Sequence, residues 1–340
     1  MRSQNLIGHD VKLVCLTDSP LSKRIEKHQI PFHGLASFGL SAILKAKKIL
    51  DEYSPDVIVT YGGQETILFG LASAKKIPVV RVRGYSYTET NPLLQKMHDA
   101  GLPGVKRIVV PSHELKNQIS QFSDIPVSAI QLGIDQEKFF FCPSKWESKR
   151  YIDLLIFGRI DPVKGHREFI EVFAHLKQFW KKYRTTDLPL RLKIIGEPAN
   201  LSFVHLEKSA KDFNLSIGED VVLVNERVAH IEELMSETTL GVVSSVGSEI
   251  ICRVAQEFLM SGTPIAVSGV GSLDETLLDP SFGLSYRNLN PEQIALNVCK
   301  YLSEVSMESA EARAKRSEIA SKYMNFQAMG KAWNSALSFE

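Results

Sequence analysis

The amino-acid sequence predicts an α/β protein built on parallel sheets and divided into two units of similar construction. Short apolar runs that suit buried strands alternate with segments of helical spacing along most of the chain, and this pattern is typical of parallel strands joined by crossover helices. The alternation stops once, near residues 136–150, and then restarts. With 340 residues, 44% of them apolar, the chain is long enough for each unit to bury its own core.

The first half supplies the predicted elements of one sheet. A strand is predicted at 11–16, VKLVCL, before the turn TDSP, and a second short strand lies within 30–37. The elements that follow are a helix over 41–53, a strand in SPDVIVTYGG, a helix in GLASAKK, a strand in IPVVRV, and a strand, turn and helix in VKRIVVPSHELKNQIS.

The stretch 136–150 is the best candidate for a linker. Its sequence, QEKFFFCPSKWESKR, combines aromatic residues, a proline and charges without strand or helix periodicity. We therefore expect an N-terminal domain over 1–140, a linker at 141–150 and a C-terminal domain over 151–318. A last helix over 319–340 is expected to pack back on the N-terminal domain.

The second half repeats the alternation, although it is not a sequence repeat of the first. Its final element is a long predicted helix at about 311–338. Before that helix, the predicted elements are the strand YIDLLIFG, a helix over 166–182, the strand LRLKIIG, a helix over 203–213, the strand DVVLVN, a helix over 230–237, the strand LGVVSS, a helix carrying Glu249, and the strand TPIAVS.

Composition excludes several classes of protein. No run approaches the ~20 apolar residues of a membrane span, and the first residues lack the apolar core of a signal peptide. We therefore expect a cytoplasmic protein. The four cysteines lie far apart without CxxC spacing, so buried thiols are expected rather than disulfides or a metal site.

Charge is uneven between the two halves. Residues 1–150 contain 20 Lys and Arg against 14 Asp and Glu, and the remainder contains 20 against 25. A basic first half suits an anionic acceptor, or contact with the acidic inner face of the plasma membrane. Ordinary solvated lysines explain the same excess.

Two carboxylates and an arginine share a helical spacing near residue 250. Glu249, Arg253 and Glu257 follow i, i+4 and i+8, so a helix would carry all three on one stripe. Gly262 and Pro264 would end that helix. The three charges equally suit a surface ladder of salt bridges.

The order of strand, turn and helix around Glu249 suggests an anion site. LGVVSSVGS precedes the predicted helix, so the helix would begin near Ile250 at the tip of the sheet. Backbone N–H groups and the positive end of the helix dipole would then face an anionic ligand.

A second motif, FGRIDPVKGHREF, follows the first strand of the second half. Arg159 and Lys164 fall beyond the carboxyl end of that strand, where ligands bind in open parallel sheets. A guanidinium and an ammonium there can clamp a diphosphate and stabilise the charge on a departing phosphate. A solvated loop explains the motif as well.

Together these motifs resemble retaining GT-B glycosyltransferases of glycosyltransferase family 4. In the second half the resemblance rests on Gly158, Arg159, Lys164, Gly165, Glu249, Glu257 and the turn SGVGSLDE. In the first half, LIGHDVKLVCL, KRIVVPSHELKNQI and IQLGIDQEKF look like the family's first-helix end and second strand, its strand with a serine turn, and its Gly-hydrophobic-Asp motif.

The resemblance implies two Rossmann-like, doubly wound domains that face each other across a cleft, with the nucleotide-sugar donor held by the second domain. By analogy, Arg159 and Lys164 grip the pyrophosphate and Glu249 meets hydroxyls of the sugar. Transfer would retain configuration, without a protein nucleophile, a metal or another cofactor. The other implied donor contacts are Gly158 in the first loop, Arg227 and Val228 near the base, backbone groups of Ile250 and Ile251 at the phosphate, and Arg253 and Glu257, with Glu257 on the ribose.

Two departures from the family stand out. The chain begins in what resembles the helix after the family's first strand and Gly-rich loop, which would leave a gap between 11–16 and 56–60. Gly84 also stands where many members have a histidine facing the sugar. Arg83, which shares a strand face with Arg81, would bind an acceptor carboxylate or phosphate, or take part in catalysis. Both arginines equally suit capping of the sheet.

The leading hypothesis is a hexosyl-type glycosyltransferase acting on a glycan or lipid-linked acceptor, in the synthesis of lipopolysaccharide or another surface polysaccharide. The alternative is a degenerate homologue that binds sugar nucleotides without catalysis. A sugar-nucleotide epimerase would need further His and carboxylate residues, which we do not find. A dehydrogenase is disfavoured because no G-x-G-x-x-G follows a strand.

Overall fold

The computed structural model describes residues 8–85, 102–225, 228–247 and 249–339. The chain forms two compact units. The first takes the described residues up to Gln131 and those from Gln327 onward, and the second is Leu132–Phe326. Each unit is an α/β structure with parallel strands, as the sequence predicts.

The strands of the first unit lie in two parallel sheets. One pairs β1 (Val14–Leu16) with β2 (His33–Leu35), and the other has the order β3-β4-β5-β6. Within the described residues, β1 and β3 share no pairing. The elements of the larger sheet and the helices are β3 (Ile58–Thr60), β4 (Val79–Val82), β5 (Val105–Val110), β6 (Val127–Ala129), α1 (Pro20–Lys27), α2 (Leu40–Tyr53), α3 (Gly63–Ala72) and α4 (His113–Ser120).

Sequence reasoning misplaced one helix of this unit and missed another. The helix predicted in GLASAKK is α3, which begins at Gly63 and ends at Ala72. The extended conformation of Gly62 starts the helix directly after β3. The missed helix, α1, has a readable local signal, because the Ser19 side chain accepts a bond from the Ser22 N–H and proline follows at the first helical position.

The second unit has one six-stranded parallel sheet in the order β12-β11-β10-β7-β8-β9. Its strands are β7 (Ile152–Phe157), β8 (Leu190–Ile195), β9 (Val221–Val224), β10 (Leu240–Val243), β11 (Ile265–Val267) and β12 (Gly283–Ser285). Its helices are α5 (Pro143–Glu147), α6 (His166–Tyr183), α7 (Phe203–Asp212), α8 (Ile231–Glu237), α9 (Arg253–Met260), α10 (Pro291–Val305) and α11 (Ala310–Met324).

Helices cover both faces of this sheet. One apolar cluster joins the strands to Phe169 and Phe173 of α6 and Leu302 of α10. The other joins them to Phe258 of α9 and Met324 of α11. Strands buried on both faces account for the continuous apolar runs in the sequence.

The strands that follow β7 in the chain are added first on one side of β7 and then on the other. From β7 the chain proceeds to β8 and β9 on one side, and it then returns to place β10 on the other side of β7. The carboxyl ends of β7 and β10 are therefore neighbours at a topological switch point, where doubly wound sheets bind ligands. The two sequence motifs follow these two strands.

The predicted linker at 141–150 lies inside the second unit. It contains α5, and Trp146 is buried with its indole N–H bonded to the Glu308 carbonyl at 3.1 Å. The aromatic residue that suggested a linker, Trp146, is therefore part of the packed second unit.

The single terminal helix predicted at 311–338 is wrong, because the structure has two helices. These are α11 and α12 (Phe326–Leu337), separated by the extended residue Asn325. Ile134 donates its N–H to the Met324 carbonyl at 2.7 Å and forms a bridge with Asn325, which interrupts the helix.

Helix α12 packs in the first unit. Trp333 and Ala336 join an apolar cluster with Val80 and Val109, and Arg107 donates to the carbonyls of Ser335 and Ala336 at 2.9 and 2.7 Å. A cation at a helix C-terminus satisfies exposed carbonyls and complements the helix dipole. Among the described residues, no helix combines the length and the hydropathy that crossing a membrane requires.

Candidate active site

The loop after β7 is held close to the loop after β10 by glycine. Gly165 has φ +67°, and a Cβ there would lie 1.9 Å from the carbonyl oxygen of Ser244. The Ser244 hydroxyl donates to the Lys164 carbonyl at 2.9 Å, and the Val246 N–H donates to the Val163 carbonyl at 2.9 Å. Only glycine fits this approach, so the two motif loops form one surface.

The prediction that the helix begins near Ile250 and carries Glu249 is wrong. Helix α9 begins at Arg253 after the non-helical residue Cys252, so Glu249 lies in the preceding turn. Ser272 explains the difference, because its N–H and hydroxyl both donate to the Glu249 carbonyl, at 2.9 and 3.1 Å. Its hydroxyl also contacts the Ile250 carbonyl at 2.9 Å. Because the Glu249 carbonyl already accepts two bonds from Ser272, both of its lone pairs are used and none remains for the N–H of a helical residue 253.

The loop after β11 thus supports the Glu249 turn. A Cβ on Gly271, whose φ is +58°, would lie 2.2 Å from the Glu249 carbonyl oxygen. The Ser268 hydroxyl donates to the Ser245 carbonyl at 2.6 Å. Three loops, from the carboxyl ends of β7, β10 and β11, therefore fix the position of one carboxylate.

Glu249 and Lys164 form the centre of the site. Lys164 Nζ and the Ser245 hydroxyl both donate to Glu249 Oε2, each at 2.7 Å. The Glu249 side chain is 8% exposed and the Lys164 side chain 31% exposed. No hydrogen bond from another described residue reaches Oε1 of Glu249, so this oxygen can accept a bond from a ligand.

Arg159 lies in the same loop as Lys164. Its guanidinium is largely exposed and lies 3.5 Å from Asp161. Asp161 caps the short 3₁₀ turn Pro162–Lys164 by accepting the Val163 N–H, and it also accepts the Asn200 amide at 2.8 Å. These bonds, with Arg159 and Lys164 nearby, lower the pKa of Asp161. A fixed carboxylate thus orients the start of the cationic loop.

Glu257 lies on α9 with its carboxylate nearly buried. Burial raises its pKa, while Arg253 and Lys138 act in the opposite direction. Arg253 Nη2 lies 3.4 Å from Glu257 Oε1 at the predicted i, i+4 spacing. The helix ends as predicted, since Gly262 has φ +76° and donates to the Leu259 carbonyl, while Thr263 donates to that of Phe258.

The buried thiol of Cys252 links the charges of the site. Its pKa is raised to about 12, chiefly by burial and also by Glu249 and Glu257, while a bond from the Ala255 N–H and the charge of Lys164 act in the opposite direction. All three charges therefore lie near one thiol, while Arg159 and Lys164 both act on Asp161. The structure thus brings Arg159, Lys164, Glu249 and Glu257 to one edge of one sheet.

The other predicted donor contacts lie around this edge or elsewhere. Gly158 follows β7 with φ +156°. Ile250 and Ile251 lie in the turn before α9, where Ile251 is exposed, and Val228 packs against the apolar cluster below α9. Arg227 lies outside the described residues.

Arg83 belongs to the first unit and not to this edge. It is buried just after β4, as is Arg81 within that strand. Its Nε donates to the Tyr85 carbonyl at 3.1 Å, and its guanidinium lies 4.9 Å from the centre of the Tyr85 ring.

No group of three or more His, Cys, Asp or Glu side chains within the described ranges is arranged to hold a metal ion.

Two family models match the chain, one for each half. Residues 6–138 match Glycosyltransferase Family 4, and residues 152–304 match Glycosyl transferases group 1. The chain belongs to this family of glycosyltransferases. Its α/β architecture, with a Rossmann-like parallel-sheet unit in each half, is the GT-B fold.

The chain has one distant relative with a named activity. It is 24% identical over 257 residues to lipopolysaccharide 1,2-N-acetylglucosaminetransferase of Salmonella typhimurium. The match covers 69% of this chain and spans 65% of that enzyme's length.

Solved structures resemble the glycosyltransferase over nearly its whole length. Anabaena Alr3699/HepE in complex with UDP has a TM-score of 0.75 at 16% identity, covering 95% of this chain and 90% of that one. A glycosyltransferase from Rickettsia africae has a TM-score of 0.73 at 16% identity, covering 98% and 90%. At such identities the likeness concerns the fold.

Sequence reasoning missed the residues that hold the glycosyltransferase's charged groups in place. Ser245 and Ser272 fix the side chain and backbone of Glu249, and Asp161 caps the Lys164 turn. Asp161 carried a readable signal, since Asp followed by Pro begins a capped turn. Ser272 had none, because its partner lies 23 residues away.

Proposed function

We propose that this glycosyltransferase moves a hexosyl-type sugar from a nucleotide donor to a glycan or lipid-linked acceptor, with retention of configuration. The donor would bind at the switch point of the second unit, and the acceptor would bind in the first. Lipopolysaccharide or another surface polysaccharide is the proposed product class. The likeness to a lipopolysaccharide N-acetylglucosaminetransferase supports this class.

The contact between Lys164 and Glu249 carries the proposal. A cation suited to phosphate and a carboxylate suited to sugar hydroxyls lie 2.7 Å apart. A nucleotide sugar presents phosphate and sugar as neighbours, so one ligand can meet both side chains. A simple phosphate site would gain nothing from a buried carboxylate at its centre.

The cations would assist departure of the nucleoside diphosphate. When the bond between the anomeric carbon and the phosphate oxygen breaks, negative charge grows on that oxygen. Lys164 is held at this edge by Glu249 before reaction, and the exposed guanidinium of Arg159 lies in the same loop, so both would stabilise that charge. The other N–H groups at the start of α9 would add donors for the same phosphate, whereas that of Ala255 bonds the Cys252 thiol.

The carboxylates would orient the donor. Glu249 would accept sugar hydroxyls through Oε1, while Lys164 and Ser245 hold Oε2. Glu257 would accept hydroxyls of the nucleotide ribose. In front-face transfer, the acceptor hydroxyl attacks the anomeric carbon from the side on which the diphosphate leaves, and its proton passes to the leaving phosphate oxygen.

Calorimetric titration of nucleotides tests the donor site. UDP and UDP-glucose are suitable first ligands, because both appear bound to the structurally similar HepE. We expect Arg159→Ala to weaken UDP binding by about tenfold, the usual scale for one charge-assisted bond. Arg184→Ala is the matched control, since Arg184 is similarly exposed and its distance to Asp187 is also 3.5 Å. Equal affinity in both variants would remove the proposed donor site.

Gly84 favours one alternative, a binding protein without transfer activity. No side chain is present at this position, where many family members carry a histidine, and a Cβ would meet open space. Release of labelled sugar from a bound donor separates the two functions. A protein that binds UDP-glucose tightly but releases no sugar with or without candidate acceptors would be the degenerate homologue.

A further inference from the structure

The motif IQLGIDQEKF ends in the second unit, where it packs against α8 and α9. Its last residue, Phe139, is buried in the apolar cluster that also includes Met235 of α8 and Phe258 of α9. Lys138 directly precedes Phe139, so its side chain starts beside these two helices. Helix α9 carries Glu257 of the proposed donor site.

A short turn fixes the backbone at Lys138. The Asp135 side chain accepts the N–H of Glu137 at 3.1 Å. The Asp135 carbonyl accepts the N–H groups of Lys138 and Phe139 at 3.2 and 2.9 Å. The start of the Lys138 side chain is therefore held in place, while the side chain as a whole is half exposed.

The ammonium of Lys138 lies near two carboxylates on different helices. Its Nζ is 3.8 Å from Oε2 of Glu232, in the first turn of α8. Burial raises the pKa of Glu257, on α9, and the charges of Arg253 and Lys138 oppose that effect. One cation thus acts on a carboxylate of each helix.

The contact with Glu232 leaves the N–H groups of Lys138 available to a ligand. A distance of 3.8 Å suits an ion pair but is too long for a hydrogen bond, and no described residue accepts one from this ammonium. Lys145 differs, because it lies 2.6 Å from Glu233 of the same helix and donates to it directly. Charge therefore holds Lys138 in place without using its donors.

Glu257 offers an acceptor oxygen at the same place. Arg253 Nη2 lies 3.4 Å from Oε1, and Oε2 accepts no hydrogen bond from the residues that the structure describes. A ribose hydroxyl can donate to such an oxygen and accept from an ammonium at the same time. A neighbouring carboxylate and ammonium therefore suit a hydroxyl better than either charge alone.

We propose that Lys138 completes the ribose end of the donor site by donating to the hydroxyls from which Glu257 accepts. Glu232 holds the ammonium beside α9 through its charge. A nucleotide without these hydroxyls leaves both charged groups unpaired, so Lys138 makes the site specific for ribonucleotides. Because Glu257 meets a ribose only if the second unit binds a nucleotide donor, this role of Lys138 rests on the proposed function.

Calorimetry with a nucleoside diphosphate and its dideoxy analogue tests this role. The full chain is titrated with UDP, GDP and ADP, and the tightest ligand is compared with its 2′,3′-dideoxy form, which lacks both ribose hydroxyls. We expect Lys138→Met to weaken ribonucleotide binding by about tenfold, the scale of one charge-assisted bond. Binding of the dideoxy form should change by less than about twofold, because an exposed charge is screened at a distance. Lys138→Arg keeps a charged donor and should retain most of the affinity.

Lys145→Met is the matched control. Lys145 also pairs with a glutamate of α8, and its side chain is 40% exposed, compared with 51% for Lys138. This variant should bind both ligands as the wild type does. Urea denaturation checks that each variant is folded.

Double variants locate the bond within the donor. Lys138 and Glu257 meet the same hydroxyls, so the losses of affinity in Lys138→Met/Glu257→Gln should be smaller than the product of the single losses. Arg159 meets the diphosphate instead, so the losses in Lys138→Met/Arg159→Ala should multiply.

Two results would overturn the role of Lys138 while leaving the donor site intact. One is equal ribonucleotide affinity in Lys138→Met and Lys145→Met. The other is an equal loss of affinity for the ribonucleotide and its dideoxy form in Lys138→Met, which would mean that the ammonium does not act at the ribose. A wild-type chain that binds none of the three diphosphates refutes the proposed function, and the role of Lys138 with it.

Discussion

Lys164 Nζ lies 2.7 Å from Glu249 Oε2, although 85 residues separate the two in the chain. The pair joins the loops after β7 and β10, which are neighbouring parallel strands at the topological switch point of the sheet. Each charge in this pair suits a different part of the proposed donor, because Lys164 can bind phosphate and Glu249 can accept bonds from sugar hydroxyl groups. The ion pair also holds each side chain ready before any ligand arrives.

Lys164→Met tests both roles of the pair. The variant keeps the side-chain length but leaves the Glu249 carboxylate buried with Ser245 as its remaining donor, so we expect a loss of about 2 kcal/mol in the free energy of unfolding. UDP affinity should fall as well. Urea denaturation and calorimetry measure the two effects.

Lys177→Met is the matched control for this variant. Lys177 is 32% exposed and lies 2.5 Å from Asp220, which resembles the exposure and contact of Lys164. We expect a loss of stability but unchanged UDP affinity. If both variants bind UDP equally well, Lys164 has no part in the donor site.

Sequence periodicity could predict the local parts of the site but not Glu249. Arg253 and Glu257 lie one turn apart on α9, so their contact follows from spacing alone. Glu249 has the same spacing from Arg253, yet it lies outside the helix because Ser272 captures its carbonyl. A hydrogen bond from another loop outweighed the local pattern.

The same distinction applies to the fold. The parallel sheets could be predicted from alternating strands and helices, because the residues of each element carry their own periodicity in the sequence. The break between α11 and α12 depends on Ile134, almost 200 residues earlier, which no periodicity records. Helix α10 was missed although its capping box at Asn290 and Gln293 was readable in the sequence.

Gly165→Ala should separate backbone strain from steric conflict. Alanine there must adopt φ +67° and place its Cβ 1.9 Å from the Ser244 carbonyl oxygen. The two motif loops must move apart, so both stability and UDP affinity should fall. Gly218→Ala is the control, since Gly218 has φ +91° but open space around it.

The control should show only the strain of a left-handed alanine, about 1 kcal/mol. We expect Gly165→Ala to lose clearly more than this in urea denaturation. Equal losses would mean that the loop accommodates a methyl group and that its close approach is not required.

Glu257→Gln should stabilise the protein while weakening donor binding. In the folded protein, burial raises the pKa of this carboxyl above its ordinary value of 4.5. The folded protein therefore holds this proton more tightly than the unfolded chain does. The resulting penalty is absent below pH 4.5, grows as pH rises through the folded pKa, and is complete at neutral pH. Glutamine removes it.

Urea denaturation across this pH range measures the effect. The stability gained by Glu257→Gln should be largest at neutral pH and shrink towards pH 4.5, while UDP affinity stays below wild type. Glu292→Gln alters an exposed carboxylate of α10 and serves as the control. A gain that does not depend on pH would exclude burial of the charge as its cause.

His166 should make the protein sensitive to mild acid. The side chain is buried at the start of α6, directly after Gly165, and burial lowers its pKa from 6.5 to about 4. As pH falls below 6.5, the unfolded chain takes up a proton that the folded protein excludes, so stability falls by up to about 3 kcal/mol by pH 4 and below.

His166→Gln should remove this loss, whereas His205→Gln, on an exposed histidine of α7, should retain it. Urea denaturation between pH 6.5 and 4 measures the slope, and identical slopes in the two variants would show that His166 takes up its proton in the folded state as readily as in the unfolded chain.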